Sequence, residues 1–228
     1  MCGRFTQVSA MEEMAQHFGV LPPYPNAPAR YNAAPTQSLL TVLVHPKTGQ
    51  RRLVPLRWGL IPYWAKDADI GYRTINAKAE SVDTKPAFRD AFRQRRCLVP
   101  ADGFYEWKKM GRWKQPYLLT MVDGSLFAFA GLWERWRDRV SREVVRTFTI
   151  ITAEPNELAA PIHNRMPAII GPADYAAGEE PAETDELLAL LKPFPAERMR
   201  AFPVDRRVGD PKNEDAGLIE PLGLTGSL

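Results

Sequence analysis

Cys2 follows the initiator methionine directly in Met1-Cys2-Gly3-Arg4, and that position could give it chemistry open to no other residue of this 228-residue chain. Trimming of Met1 would leave Cys2 as the amino terminus, with a free α-amine beside its thiol. That pair is a 1,2-aminothiol, which an internal cysteine cannot offer. The amine condenses with an aldehyde to an imine, and the thiol then closes a five-membered thiazolidine ring. A reference pKa of ~7.7–8.0 leaves part of an α-amine neutral at physiological pH, whereas a thiol near ~8.5 needs local help to ionise. Gly3 lets the backbone lie close to a ligand, and Arg4 sets a cation next to the reactive end. Chance alone can put a cysteine second, so the assignment depends on what the rest of the chain supplies.

Imine chemistry needs a group to shuttle protons, a side chain to aim the cysteine and cations to hold the substrate. Glu106 lies in Phe104-Tyr105-Glu106-Trp107-Lys108. Strand alternation puts it on the face opposite Tyr105 and Trp107, where desolvation would raise its pKa toward the range useful for proton transfer. The competing reading is a partly buried salt-bridge carboxylate. Asn76 follows a loop and could aim Cys2, although turn asparagines are common. His163, in His163-Asn164-Arg165, is an acid–base candidate, although a lone loop histidine is usually not one. Cys97 reads as a small core residue. His17, His45 and His163 lie far apart and no Cys-x-x-Cys occurs, so neither a metal site nor a cofactor is expected.

The composition is that of an ordinary globular protein, with 45% hydrophobic and 25% charged residues. Proline is high, 21 residues against a typical ~5% of the chain, which predicts short elements joined by many ordered loops. The net charge of +3 is a mild lean toward anionic partners. Arginines cluster at Arg93, Arg95 and Arg96 and from Arg135 to Arg146, which reads first as a solvated face. Two cysteines make no disulfide scaffold. With no signal-like h-region and no apolar run of membrane length, the expectation is a reducing, cytoplasmic setting and no membrane association.

The elements that must hold these residues can be read in order. Ser9 to Phe18 predicts a helix capped by Ser9 with Glu12 three residues on, closed at Gly19. Pro22 to Pro28 is a loop leading to Arg30-Tyr31-Asn32-Ala33-Ala34-Pro35-Thr36. Leu39–His45 and Arg51–Trp58 read as a hairpin, followed by a loop bearing Trp58, Tyr63 and Trp64. Thr84 and Pro86 open a second helix with Phe88, Ala91 and Phe92 inward. Cys97–Pro100 is a buried strand. Tyr117–Met121 and Leu126–Trp133 flank Asp123-Gly124 as a hairpin, and Val144–Thr152 is a further strand entered from the arginine-rich loop. Residues 153–166 are irregular or briefly helical, Thr184 caps a helix to Leu191, and 198–215 hold a last short strand and loop. The sum is an α+β domain over 1–220, with a mostly antiparallel, curved, barrel-like sheet and peripheral helices, and a flexible tail over 221–228.

The chain resembles the SRAP family, named for SOS-response-associated peptidases and understood as abasic-site processing proteins. The resemblance is carried by Met1-Cys2-Gly3-Arg4-Phe5, Arg30–Pro35, Trp58-Gly59-Leu60-Ile61-Pro62, Ile75–Glu80, Cys97–Trp107, Ile162–Pro167 and Val208–Asp215, in that order and spacing. It implies a covalent link between the N-terminal cysteine and the ring-opened aldehyde of an abasic site in single-stranded DNA. By position, Cys2 would be the nucleophile through amine and thiol, Asn76 would orient it, Glu106 would serve as acid–base catalyst, and His163 would assist imine formation and reversal. Arg4, Lys78, Thr152 and Arg165 fall where the family contacts the DNA backbone. Pro35 and Trp64 fall on loops suited to separating or stacking bases, a role worth ~1–3 kcal/mol per base. The family commonly has arginine where this chain has Lys78, which binds phosphate without a bidentate fork. The implied protein is a nucleoid-associated monomer whose partner is single-stranded DNA containing abasic sites. Two rivals stand beside it: a thiol peptidase or amidohydrolase of the N-terminal-nucleophile kind, and a passive single-strand binding module.

Overall fold

Thirteen short strands build two sheets in the computed structural model, which describes residues 2–176 and 183–223. The smaller sheet is antiparallel throughout. Its order is β13 (Met199–Pro203), β8 (Trp113–Met121), β7 (Gly103–Met110), β1 (Phe5–Gln7) and β2 (Arg30–Ala33). The larger sheet closes on itself: β10 (Val144–Ala153) joins β4 (Arg51–Trp58), then β3 (Ser38–Val44), β6 (Arg96–Ala101) and β9 (Phe127–Arg137), which pairs back to β10. Two dipeptide strands, β11 (Met166–Pro167) and β12 (Ile169–Ile170), extend it, and β5 (Asn76–Lys78) lies parallel to β10. This is the expected α+β architecture with a curved, barrel-like and mostly antiparallel sheet.

Helices α1 (Met11–Phe18) and α2 (Arg89–Gln94) cover one part of the larger sheet, where Met14, Ala15, Phe18 and Phe92 pack with Leu40, Val42, Leu98 and Leu132. A second core fills the space between the sheets, with Phe5 and Phe104 edge-on to Phe129 and Trp58 stacked on Phe148. Trp58 therefore ends β4 as a fully buried core residue and is no part of an aromatic loop. Cys97 lies in the same core, as expected of a small apolar side chain.

Two predicted caps are not made. Ser9 donates its hydroxyl to Asp102, whose carboxylate also accepts from Val8 N at 2.6 Å, so α1 starts two residues later behind Ala10. The third helix spans Thr184–Ala189 behind Glu183, without a side-chain cap. Gly19 does close α1, at φ 64°. The second helix begins only after Phe88, although Phe88, Ala91 and Phe92 are buried as predicted. His17 is half-buried and its Nε2 lies 3.0 Å from the Tyr175 hydroxyl, so it is more than helix surface. The Asp123-Gly124 turn joins no hairpin: β8 pairs with β7 and β13, while β9 pairs with β6, β10 and β12. The turn instead hands the chain from the smaller sheet to the larger. At the far end Leu222 N donates to the Pro203 carbonyl at 2.8 Å, and residues 224–228 of the expected tail lie outside the described residues.

Candidate active site

β1 is only three residues long, yet it lies inside the smaller sheet, with β2 on one side and β7 on the other. Tyr105 N donates to the Arg4 carbonyl at 3.0 Å, which lays the segment before β1 alongside β7 and its Glu106. Cys2 is thereby carried into the core between the sheets and is 0% exposed. Asn76 opens β5 opposite Ile150 of β10, and its Nδ2 donates to the Cys2 carbonyl at 2.7 Å. A residue near the chain terminus is thus held from two directions, by a strand and by an amide.

Glu106 is 2% exposed and faces this core, while Tyr105 and Trp107 pack on the other face with Val204, Val208 and Leu218. Burial pushes its carboxyl up to about 7, although the Trp107 backbone N–H and the Lys114 ammonium pull the other way. His163 Nδ1 lies 3.9 Å from Glu106 Oε2, too long for a direct hydrogen bond. The same Nδ1 lies 3.1 Å from Arg165 N and 3.2 Å from the Arg165 carbonyl, so the backbone of Arg165 holds the ring whichever nitrogen carries the proton. Burial also pushes the imidazole down, which favours the neutral ring near pH 7.

The thiol departs from expectation. Burial, and then the charge of Glu106, push the Cys2 thiol far up rather than helping it to ionise. What the arrangement offers is a neutral, positioned thiol beside a carboxyl that titrates near neutrality. Such a site can shuttle a proton on and off a reacting centre, but it does not hold a thiolate in waiting.

The residues assigned to the DNA backbone form a second group beside the first. Lys78 is exposed and pairs in register with Thr152 on β10. Thr152 is buried, with its hydroxyl 3.4 Å from the Ala77 carbonyl, and Arg165 donates to it from the other side. The Arg165 guanidinium is held in a fork by Glu80, with Nη2 to Oε2 at 3.0 Å. Arg4 is half-buried and bonds the Gly3 carbonyl at 2.9 Å.

Pro35 and Trp64 sit on two loops fastened to the end of β4. Thr36 N donates to the Trp58 carbonyl and Trp58 N to the Gln37 carbonyl, each at 2.9 Å. Gly59, at φ 117°, lets the next loop fold against Gly71, whose oxygen would lie 2.6 Å from any Cβ there. Trp136 Nε1 bonds the Ala65 carbonyl at 2.9 Å. With its base so tied, the loop leaves Tyr63 57% and Trp64 44% exposed.

Three contributors carry no sequence-based assignment. Glu80 orients Arg165. Asn32 Nδ2 donates to the Val208, Asp210 and Asn213 carbonyls at 3.2, 3.0 and 3.0 Å, and the Glu214 carboxylate accepts from Tyr31 N and Asn32 N. This latch ties the C-terminal segment to β2, the neighbour of β1. Its signal was the presence of Arg30–Pro35 and Val208–Asp215 among the stretches shared with a known family, since polar residues there have no period to betray a partner.

The family profile described as SOS response associated peptidase (SRAP) matches residues 1–211. The chain belongs to the SRAP family. Among SRAP relatives, the abasic site processing protein YoqW of Bacillus subtilis is 43% identical over 226 residues, covering 96% of this chain and 99% of its own. The abasic site processing protein YedK of Escherichia coli is 31% identical, over 97% of this chain and all of its own. A crystal structure of a protein from Bacteroides thetaiotaomicron superposes with a TM-score of 0.88 at 26% identity, covering 96% of this chain and 99% of that one. Every site residue described above except Glu214 and Asn213 falls inside the SRAP match. Among the described residues no cluster of His, Cys, Asp and Glu could hold a metal ion, and no helix is long and apolar enough to cross a membrane.

Proposed function

We propose that this SRAP protein processes abasic sites in single-stranded DNA by capturing the ring-opened aldehyde on Cys2. The reading is carried by one observation: the Cys2 backbone is clamped by Asn76 beside a buried carboxyl that titrates near 7. Once Met1 is removed, the Cys2 amine adds to the aldehyde carbon. Glu106 in its acid form protonates the departing oxygen of the carbinolamine, water leaves, and an imine remains. The thiol then adds to the imine carbon. Its proton passes through Glu106 to the ring nitrogen, so the net reaction joins aldehyde and aminothiol with loss of one water. His163, with Nδ1 3.9 Å from Glu106 Oε2, is placed to relay its proton. Because the aldehyde is consumed, β-elimination at the site cannot cut the strand.

An abasic site offers no base to read, which matches a surface of backbone-binding cations and stacking aromatics. A thiol hydrolase is the poorer reading, since it needs a thiolate and burial raises this thiol.

The test is a denaturing gel with three proteins: trimmed wild type, wild type carrying an uncleaved extension before Cys2, and Cys2→Ala. Trimmed wild type should give a heat-stable adduct with abasic single-stranded DNA and none with intact DNA. The extended protein has an amide in place of the amine and should bind without crosslinking. Cys2→Ala should give only an imine that borohydride traps. A stable adduct from either altered protein would overturn the mechanism.

A further inference from the structure

In the barrel β4 and β10 pair only at Thr147↔Arg57 and Phe148↔Trp58, in parallel. Groups on β4 that face β10 recur at every second residue, so the next donor after Arg57 should come from Pro55, which has no N–H. The ladder stops there. The strands part into an open groove of about 520 Å³ lined by Ser38, Pro55, Val144 and three arginines, Arg57, Arg135 and Arg146.

Arg135 and Arg146 stand directly opposite each other in the β9–β10 register. Gly59 N bonds the Phe148 carbonyl, so the peptide groups of Phe148, and those of Arg146 in phase with it, face away from β9. The two arginines are therefore a non-hydrogen-bonded pair, the kind whose side chains approach most closely. Like charges so placed weaken a sheet. Among the described residues no carboxylate forms an ion pair with Arg57, Arg135 or Arg146. Arg57 lies instead 5.9 Å from the ring of exposed Tyr72, which belongs to the Trp64 loop. The solvated face expected from the arginine run is thus, at these positions, a set of cations that line a groove and have no carboxylate paired to them.

The place of the groove indicates which anion it takes. It begins at the end of β4, to which the Pro35 and Trp64 loops are both fastened. From Arg146, β10 runs on to Ile150 beside Asn76, about 13 Å away at ~3.3 Å per residue. That separation is short enough for one nucleic-acid backbone to reach from the Cys2 site to the groove. We infer that the groove is a second phosphate-binding site, gripping the backbone of the same nucleic acid beyond Pro35 and Trp64. The inference rests on the reading of the Cys2 site as a nucleic-acid site, and an acidic peptide is the competing occupant.

The test needs no covalent chemistry. Full-length wild type and the double variant Arg135→Thr/Arg146→Thr are titrated by fluorescence anisotropy with undamaged single strands of about 3 nucleotides, too short to span both sites, and about 20 nucleotides across a salt series. The short strand should bind both proteins alike. For the long strand, loss of two phosphate contacts should make the log–log salt slope shallower by ~1.4 and weaken binding by ~25-fold at about 0.1 M salt. The double variant should also melt ~1–3 °C higher, because opposed charges are gone, whereas arginines with a structural role would leave it less stable. The Lys/Lys pair at the same positions should keep the salt slope, which controls for folding. An unchanged slope with the long strand overturns the inference and leaves the Cys2 reading intact, as does an equal loss on both lengths. So does a poly-glutamate peptide that binds wild type, loses affinity in the double variant and fails to compete with the long strand. Failure of wild type to bind either strand would overturn both readings.

Discussion

Glu106→Gln tests the site through two quantities that must move in opposite directions. The carboxyl is held near 7 by burial, against about 4.5 when the side chain is free. Between those values the folded protein keeps a proton that the unfolded chain has released, so folding stability falls as pH rises. The full contribution is present below about 4.5 and is lost once the pH passes 7. A shift of roughly 2.5 units at ~1.36 kcal/mol each makes the loss about 3 kcal/mol. Glutamine fills the same volume and never ionises, so the variant should match wild type near pH 4.5 and exceed it by up to about 3 kcal/mol at pH 8. Denaturant melts at both pH values measure the difference. Covalent capture should fall ~10²–10⁴-fold in the same variant, the usual worth of a general acid or base. The pH–rate break near 7 should vanish, and reopening of the ring should slow in step. Parallel stability curves for the two proteins would refute the buried, titrating carboxyl. Capture at the wild-type rate would refute its role in proton transfer even if the stability result held.

Three further outcomes follow from the geometry. Asn76→Ala frees the Cys2 carbonyl and should slow capture ~10²-fold at saturating DNA while single-strand affinity stays level, a split read by single-turnover gels against anisotropy. Lys78→Arg should tighten binding to single-stranded DNA without changing its salt slope, and Lys78→Ala should make that slope shallower by ~0.7. Glu214→Ala removes a charged acceptor from two backbone N–H groups and should lower the folding free energy by ~2–3 kcal/mol, measurable as a drop of roughly 4–12 °C in melting temperature.

The parts of this molecule that were legible in the sequence are those governed by local repetition. Alternation in Phe104–Lys108 was enough to turn Glu106 away from Tyr105 and Trp107, and Pro46-Lys47-Thr48-Gly49 correctly joined β3 to β4. Errors arose where a local signal was claimed by a distant partner. Ser9 would cap a helix in isolation, but a half-buried Asp102, 93 residues on, is the stronger partner. Asp123-Gly124 makes the same turn whether or not the flanking strands pair, so it could not reveal that the chain changes sheets there. The acid–base residues were read as candidates from their neighbours in sequence. That Cys2 would be buried and its thiol raised depends on both sheets closing over it, and nothing in residues 1–4 records that. Arg165 likewise reads as a free cation until Glu80 is brought across to hold it.

The interior position of β1 also sets an order of events during synthesis. Phe5 pairs with Phe104, so the strand behind Cys2 cannot take its place until almost half the chain has been made. At ~5–20 residues per second that interval is roughly 5–20 s. Until then Cys2 has no closed core to be buried in, so the removal of Met1 that the proposed chemistry requires can precede its burial. Asn76 has emerged by then, Glu106 only just, and His163 comes later still. On the proposed mechanism an amine freed in that interval would precede the groups that drive it to react, and the aminothiol would stay idle until the sheets shut around it.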